Sequence, residues 1–184
     1  MSRILTRRLV LRGLQLKDYA KWRAAMNPGG FKLVDESGRS MTSSKLSATA
    51  FRKIVARHGR LRERDEVYAF GVFRRGSGAL VGIVDLGIIR RDMFAWANLG
   101  YSIYASFRGN GYATEAAAAL LKHGFLRMKL RRIEAAIESG NRASIAVARN
   151  IGMRRECIRR AFWSDAVGPV DAHVYVSIAP DLER

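Results

Sequence analysis

A chain of 184 residues with 48% hydrophobic residues is long enough to bury about 70% of the surface that its unfolded form exposes. It has no apolar run near the ~20 residues that span a bilayer, and its opening Met-Ser-Arg-Ile-Leu lacks a signal-peptide core, so the expected compartment is cytoplasmic, with no membrane partner. A single cysteine, Cys157, rules out an internal disulfide and a cysteine-based metal site, while a net charge of +17, from 33 basic and 16 acidic residues, draws polyanions without sequence preference.

In chain order, Arg8-Leu-Val-Leu-Arg12 alternates as a strand does. Residues 16–26 place Leu16, Tyr19, Ala20 and Arg23 at helical spacing, and Asn27-Pro-Gly-Gly30 ends that helix. A Gly/Ser/Thr-rich loop follows to about residue 47. A second helix over 48–62 carries Arg52, Lys53, Arg57, Arg60 and Arg62, with Arg64 just beyond. This is either a solvated face or an RNA contact. Residues 67–75 and 80–91 read as strands joined by the Gly76-Ser-Gly78 hairpin. Residues 94–104 form the next strand, 114–130 a helix, 132–139 a strand and 141–150 a helix, with Gly152 at its left-handed C-cap. Residues 155–164 and 171–179 form a last antiparallel pair around Gly168-Pro169. The order is β-α-α-β-β-β-α-β-α-β-β, a single mixed α/β domain over 1–184 without repeats.

The most informative segment is Arg108-Gly-Asn-Gly-Tyr-Ala113. It stands between a strand-like run and the helix that opens Thr114-Glu-Ala-Ala. A Gly-rich turn at that junction presents unpaired backbone N–H groups and the positive end of the helix dipole, an arrangement that binds pyrophosphate. Arg108 adds a cation. A Rossmann dinucleotide domain is excluded, because the glycines lie late in the chain and lack the parallel βαβ setting.

Arg-x-x-Gly-x-Ala resembles the acyl-CoA-binding motif of the GNAT acetyltransferase superfamily. Asn98-Leu-Gly-Tyr-Ser-Ile103, Arg132-Ile-Glu-Ala-Ala136, Asn141-Arg-Ala-Ser144, Arg149-Asn-Ile-Gly-Met153 and Asp171-Ala-His-Val-Tyr175 extend the likeness. Together they resemble the RimJ/RimL-type ribosomal-protein N-terminal-alanine acetyltransferases. The likeness is interrupted over residues 29–65, the expected acceptor-shaping region. It implies the GNAT fold, a twisted mixed sheet of about seven strands flanked by about four helices and splayed between its fourth and fifth strands. It also implies acetyl-CoA as co-substrate and no metal. Ser102, Ile103 and Tyr104 would then offer backbone groups to the pantetheine arm. The pyrophosphate would lie on Arg108, Gly109, Asn110, Gly111, Tyr112, Ala113 and Thr114, and Asn141 would cap a helix and bind the pantetheine amide.

Acetyl transfer needs a neutral amine, a stabilised thioester oxygen and a proton for the departing thiolate. A glutamate common in relatives is Asn98 here, and another falls near Trp163. Glu138 is then the candidate base, with Asp85, His173 or a water chain as alternatives. The tyrosine that serves as acid in many members is Ala148, which leaves Ser144 as the thiolate's partner. An α-amine is easier to deprotonate than a lysine by about 3.5 kcal/mol at neutral pH, so a weakly equipped site favours an N-terminus. The acceptor implied is a protein N-terminus, a ribosomal protein foremost, with ribosomal RNA contact through the basic surface. Alternatives are a small-molecule amine (amino acid, polyamine or aminoglycoside) or a non-catalytic, ribosome-associated protein that keeps the fold. Trp22, Trp96, Tyr101, Phe162 and Trp163 are expected in the core or the acceptor cleft.

Overall fold

The computed structural model describes residues 3–26, 46–164 and 168–179. The proposed stop at residues 27–30 and most of the loop after it lie outside them. Strand β1 (Ile4–Leu5) turns through Thr6 into β2 (Leu9–Arg12), and a 3-10 turn (Leu16–Asp18) leads into α1 (Tyr19–Ala25). Then follow α2 (Ala48–Glu63), β3 (Val67–Arg74), β4 (Leu80–Arg90), β5 (Trp96–Ile103), α3 (Tyr112–Leu126), β6 (Arg132–Glu138), α4 (Arg142–Asn150), β7 (Arg154–Ser164) and β8 (Pro169–Ile178). They form one eight-stranded sheet in the order β1-β2-β3-β4-β5-β6-β8-β7. One strand more than expected is present, because Ile4 and Leu5 pair with Leu11 and Val10.

All neighbouring strands are antiparallel except β5 and β6. A parallel pair needs a crossover, and α3 supplies it. The two sheet faces carry separate cores. Leu9, Leu11, Phe70, Val84, Leu86, Ala116, Leu120, Ile133 and Ala148 pack together under α3 and α4. Trp22, Phe51, Phe73, Leu80 and Tyr104 form the other core, under α1 and α2, with Ile83 packed against it.

Several local expectations change. The buried stripe of α1 is Trp22 and Ala25, continued by Met26, while Leu16, Ala20 and Arg23 are exposed. The helix begins only after Asp18 has been clasped by Arg12 (2.6 and 2.7 Å), which shifts the register away from Leu16. Helix α3 stops at Leu126. The chain reverses through Lys129 at φ 57° and returns Leu130 to the core. On α2, Arg52, Lys53, Arg57, Arg60 and Arg64 are exposed. Arg62 instead turns inward, donates to the Ala69 carbonyl (3.0 Å) and lies over the Tyr68 and Phe70 rings. Of the aromatics expected in the core or the acceptor cleft, Phe162 is exposed on β7 and so not in the core, whereas Trp22 is fully buried. Gly152 takes the left-handed cap at φ 83°. Cys157 is exposed.

Candidate active site

The parallel ladder between β5 and β6 is short. It pairs Trp96 with Arg132, Ala97 with Ile133 and Asn98 with Glu134, then stops. β5 continues beside β4 as far as Ile103, and β6 continues beside β8 as far as Glu138. The strands therefore splay beyond Asn98 and Glu134. At the fork, Asn98 Oδ1 accepts a long hydrogen bond from the Ala136 N–H (3.4 Å), a side chain substituting for the next rung. This is the structural use of the amide that cannot act as a base.

Backbone groups alternate sides along a strand. The Tyr104 N–H points to Val81 O, on the β4 side (2.9 Å), and Ala95 O accepts from Arg131, on the β6 side (2.8 Å). Odd-numbered residues of β5 thus turn their N–H and C=O towards β6. Of Ser102, Ile103 and Tyr104, only Ile103 faces the opening, and Tyr101 joins it there. Ser102 and Tyr104 have their main-chain groups turned to β4. Of the three residues that the resemblance named, the main-chain direction thus sets Ile103 apart from Ser102 and Tyr104.

The opening leads to the Gly-rich turn. A 3-10 turn over Ala105–Phe107 follows Tyr104. Gly109 and Gly111 both adopt the left-handed region (φ 75° and 72°), and Gly111 is the N-cap of α3. Among the described residues no side chain caps that helix start, so the first N–H groups of the helix, those of Tyr112, Ala113 and Thr114, form a ready anion cradle. Asn110 shapes the turn by donating to the carbonyls of Phe107 and Arg108. Arg108 Nε donates to Ile103 O (3.2 Å). Arg8, read from sequence only as a strand residue, also reaches the turn. It donates to Asn110 O (3.0 Å), pairs with Glu115 (2.6 Å) and stacks on Tyr112. Burial pushes the Glu115 carboxyl up, but hydrogen bonds from Thr6 and Arg8 more than offset this and hold it below its ordinary value.

Across the opening, Asn141 caps α4, its Oδ1 accepting from the Ser144 N–H (3.0 Å). The Tyr101 hydroxyl donates to Ser144 O (2.8 Å), bracing β5 against α4, and burial pushes that phenol up to about 12. Ser144 is half-buried and Glu138 is exposed at the end of β6. Ala148 is fully buried in the core under α3 and α4.

Cross-strand partners share a face. His173 pairs with Ile137, which lies in the α3/α4 core. Asp85 is two residues from Ile83, on the α1/α2 face. These two alternatives for the base therefore stand on opposite sides of the sheet. Asp171 accepts from the Ala161 N–H (2.9 Å), a structural role at the β7 irregularity. Sequence reading missed Glu134, which is fully buried and held bidentately by Arg159 (2.7 and 3.1 Å), with Arg132 beside it. The signal was present in a glutamate inside an otherwise apolar strand core. Among the described residues, no group of three His, Cys, Asp or Glu side chains could hold a metal, and no helix is long and apolar enough to cross a membrane.

A forked mixed sheet with a glycine-capped helix at its mouth defines an acyl-CoA-type acetyltransferase fold. The chain belongs to the GNAT acetyltransferase family: residues 8–154 match the Acetyltransferase (GNAT) domain. Among similar proteins of Bacillus subtilis (strain 168), YnaD, an uncharacterized N-acetyltransferase, is 30% identical over 83% of both chains. YjcK, provisionally named an N-acetyltransferase, is 34% identical over 59% of this chain, which spans 60% of YjcK. Among solved structures, a Vibrio cholerae protein provisionally named a ribosomal-protein-serine acetyltransferase superposes with a TM-score of 0.77. It is 25% identical and covers 96% of this chain and 97% of its own. Mycobacterium smegmatis RimJ, in complex with CoA-disulfide, has a TM-score of 0.80 at 22% identity, over 96% of this chain and 84% of its own.

Proposed function

We propose that the chain transfers the acetyl group of acetyl-CoA to the N-terminal α-amine of a protein, with ribosomal proteins as the acceptor class. The observation that carries this reading is the fork between β5 and β6, which ends beside the uncapped start of α3. Backbone groups of Tyr101 and Ile103 line its open edge, fitted to the amides of a pantetheine arm. The amides of Gly109 to Thr114, with Arg8 and Arg108 nearby, suit the pyrophosphate. Asn141 and Ser144 lie opposite, and the Ser144 hydroxyl is the proton source for the departing thiolate. Deprotonation of the amine falls to a carboxylate on the α1/α2 face, either Glu138 at its rim or Asp85 on its floor. The likeness to RimJ and to the Vibrio cholerae protein supports the ribosomal acceptor, as does a basic surface suited to a partner that lives on RNA.

The experiment uses lysine-containing peptides that start with alanine or serine, each with a free or a blocked N-terminus. Acetylation is expected only on the free α-amine. Robust modification of the blocked peptide would overturn the assignment. Mass spectrometry of ribosomal proteins from cells with and without the gene should reveal one that loses an acetyl group.

A further inference from the structure

We propose that Asp85 receives the acceptor amine, pairing with the incoming ammonium and taking its proton. This rests on an amine acceptor, not on which amine it is.

The geometry is unusual for a half-buried carboxylate. Asp85 sits in the middle of β4, flanked across the rungs by Ala69 and Gly100. These two small residues put little side-chain bulk on either side of the carboxylate on the α1/α2 face. A Cβ at Gly100 would stand 2.6 Å from Asp85 Oδ2 and 2.8 Å from Oδ1. The carboxylate therefore lies over the main chain of β5, the strand that opens the cleft. Asn98, at the fork, is the next residue along the same face of β5.

The chain has arginines to spare and uses them on its other sheltered acids. Asp18 is clasped by Arg12, Glu115 by Arg8, Glu134 by Arg159 and Asp65 by Arg91. Asp85 alone among these has no hydrogen-bonding or ionic partner among the described residues. Burial by itself pushes its carboxyl up to about 6. The residues facing it from β3 (Val67, Ala69 and Gly71), from β4 (Ile83 and Gly87) and from β5 (Asn98, Gly100 and Ser102) do not titrate. On α2, Arg62 is engaged with Ala69 O, and His58 is held neutral by burial, its value near 4. An unpaired carboxylate is costly to shelter, and here the missing cation is the substrate's own.

In the step proposed, the ammonium gives one proton to the Asp85 carboxylate. The freed nitrogen lone pair attacks the acetyl carbon, and the C–S bond breaks with its electron pair leaving on sulfur. The proton that the nitrogen sheds on becoming an amide ends on the thiolate, and Asp85 releases its own to solvent. From an α-amine near 8 to a carboxyl near 6 the transfer is about a hundredfold uphill, against about ten-thousandfold for an ordinary aspartate.

The test is Asp85→Asn, with Gly100→Ala as a second variant whose Cβ crowds the carboxylate from its place. Free-amine alanine peptide and spermidine serve as acceptors, and kcat/KM is followed from pH 6.5 to 9. With the alanine peptide, Asp85→Asn should lose at least tenfold at pH 7 and recover towards wild type at pH 9, where an α-amine near 8 is already neutral; with spermidine, whose alkyl amines stay charged over this range, the loss should persist at pH 9. Acetyl-CoA affinity and melting behaviour should be retained. Gly100→Ala should lose less, with the same pH trend. With the peptide, a loss that is constant across pH would overturn the assignment; with either acceptor, no loss, or the same loss in Glu138→Gln instead, would do so. If spermidine is acetylated and the peptide is not, the N-terminal reading fails while Asp85 is still judged on spermidine. A substrate-independent arm titrates the Asp carboxyls by carbon-13 NMR. The signal missing from Asp85→Asn should move near pH 6, and an ordinary value near 4 would also overturn it.

Discussion

The turn at the start of α3 and the face around Asp85 lie at the same opening yet are made of different materials. The turn is main chain: two left-handed glycines, unspent helix N–H groups, and arginines that shape it from outside. The face around Asp85 is side chain: one carboxylate over a glycine, an amide at a fork, and a buried glutamate locked to arginine. A cradle of backbone amides suits a ligand whose charge is the same in every cycle. A half-buried carboxylate without a partner suits a group that arrives charged and must leave its proton behind. In a chain of net charge +17, the role proposed for Asp85 would give a cationic amine a local partner of opposite charge.

The comparison can be broken by substitution on each side. The largest effect is expected at Glu134→Ala, which strands Arg159 beside a buried strand and should cost about 2–3 kcal/mol of stability in chemical denaturation. A change within about 0.5 kcal/mol would show that the ion pair is not structural. Next is Gly111→Val, which puts a branched side chain at φ 72° where the main chain meets the ligand. Acetyl-CoA affinity by calorimetry should fall at least tenfold, about 1.4 kcal/mol, and unchanged affinity in a folded variant would remove the backbone cradle. Ser144→Ala should lower kcat about fivefold with little change in the KM for acetyl-CoA, as expected for a contact made in the transition state. Full activity would mean that the thiolate leaves without it. The smallest effect belongs to Tyr101→Phe, which removes the brace to Ser144 O and should cost about 1 kcal/mol in thermal unfolding.

The same contrast governs what could be read without coordinates. The turn was legible because its shape is written in residue types at fixed spacing, glycines before a helix. The face around Asp85 was not, because it depends on register. Asp85 meets Gly100 only through the pairing of β4 with β5, which shifts at an irregularity between Ile88 and Arg90. No local pattern reports that shift. Asp85 therefore stood level with His173, although the sheet sets them on opposite faces. Glu138 ranked above both for lying at a strand end, and it is exposed there. Strand β1 was missed because two residues are too few to show alternation, and α1 was misphased because the Arg12–Asp18 clasp delays the helix.

The fork also has a mechanical consequence. It divides the sheet into two leaves, β1 to β5 and β6 with β8 and β7, whose main-chain ladder runs only over Trp96–Asn98 and Arg132–Glu134. Such a sheet bends first at that seam. At a strand rise of about 3.3 Å per residue, Ile103 lies roughly 16 Å beyond the pivot. A rotation of about 5° there shifts the jaw by about 1.4 Å, and misplacement of about 1 Å can cost a hundredfold in rate. The Tyr101–Ser144 hydrogen bond, set well out along the jaw, acts as a stay against that motion. Residues at the seam, Trp96 and Arg132 among them, thereby set the gauge of the cleft.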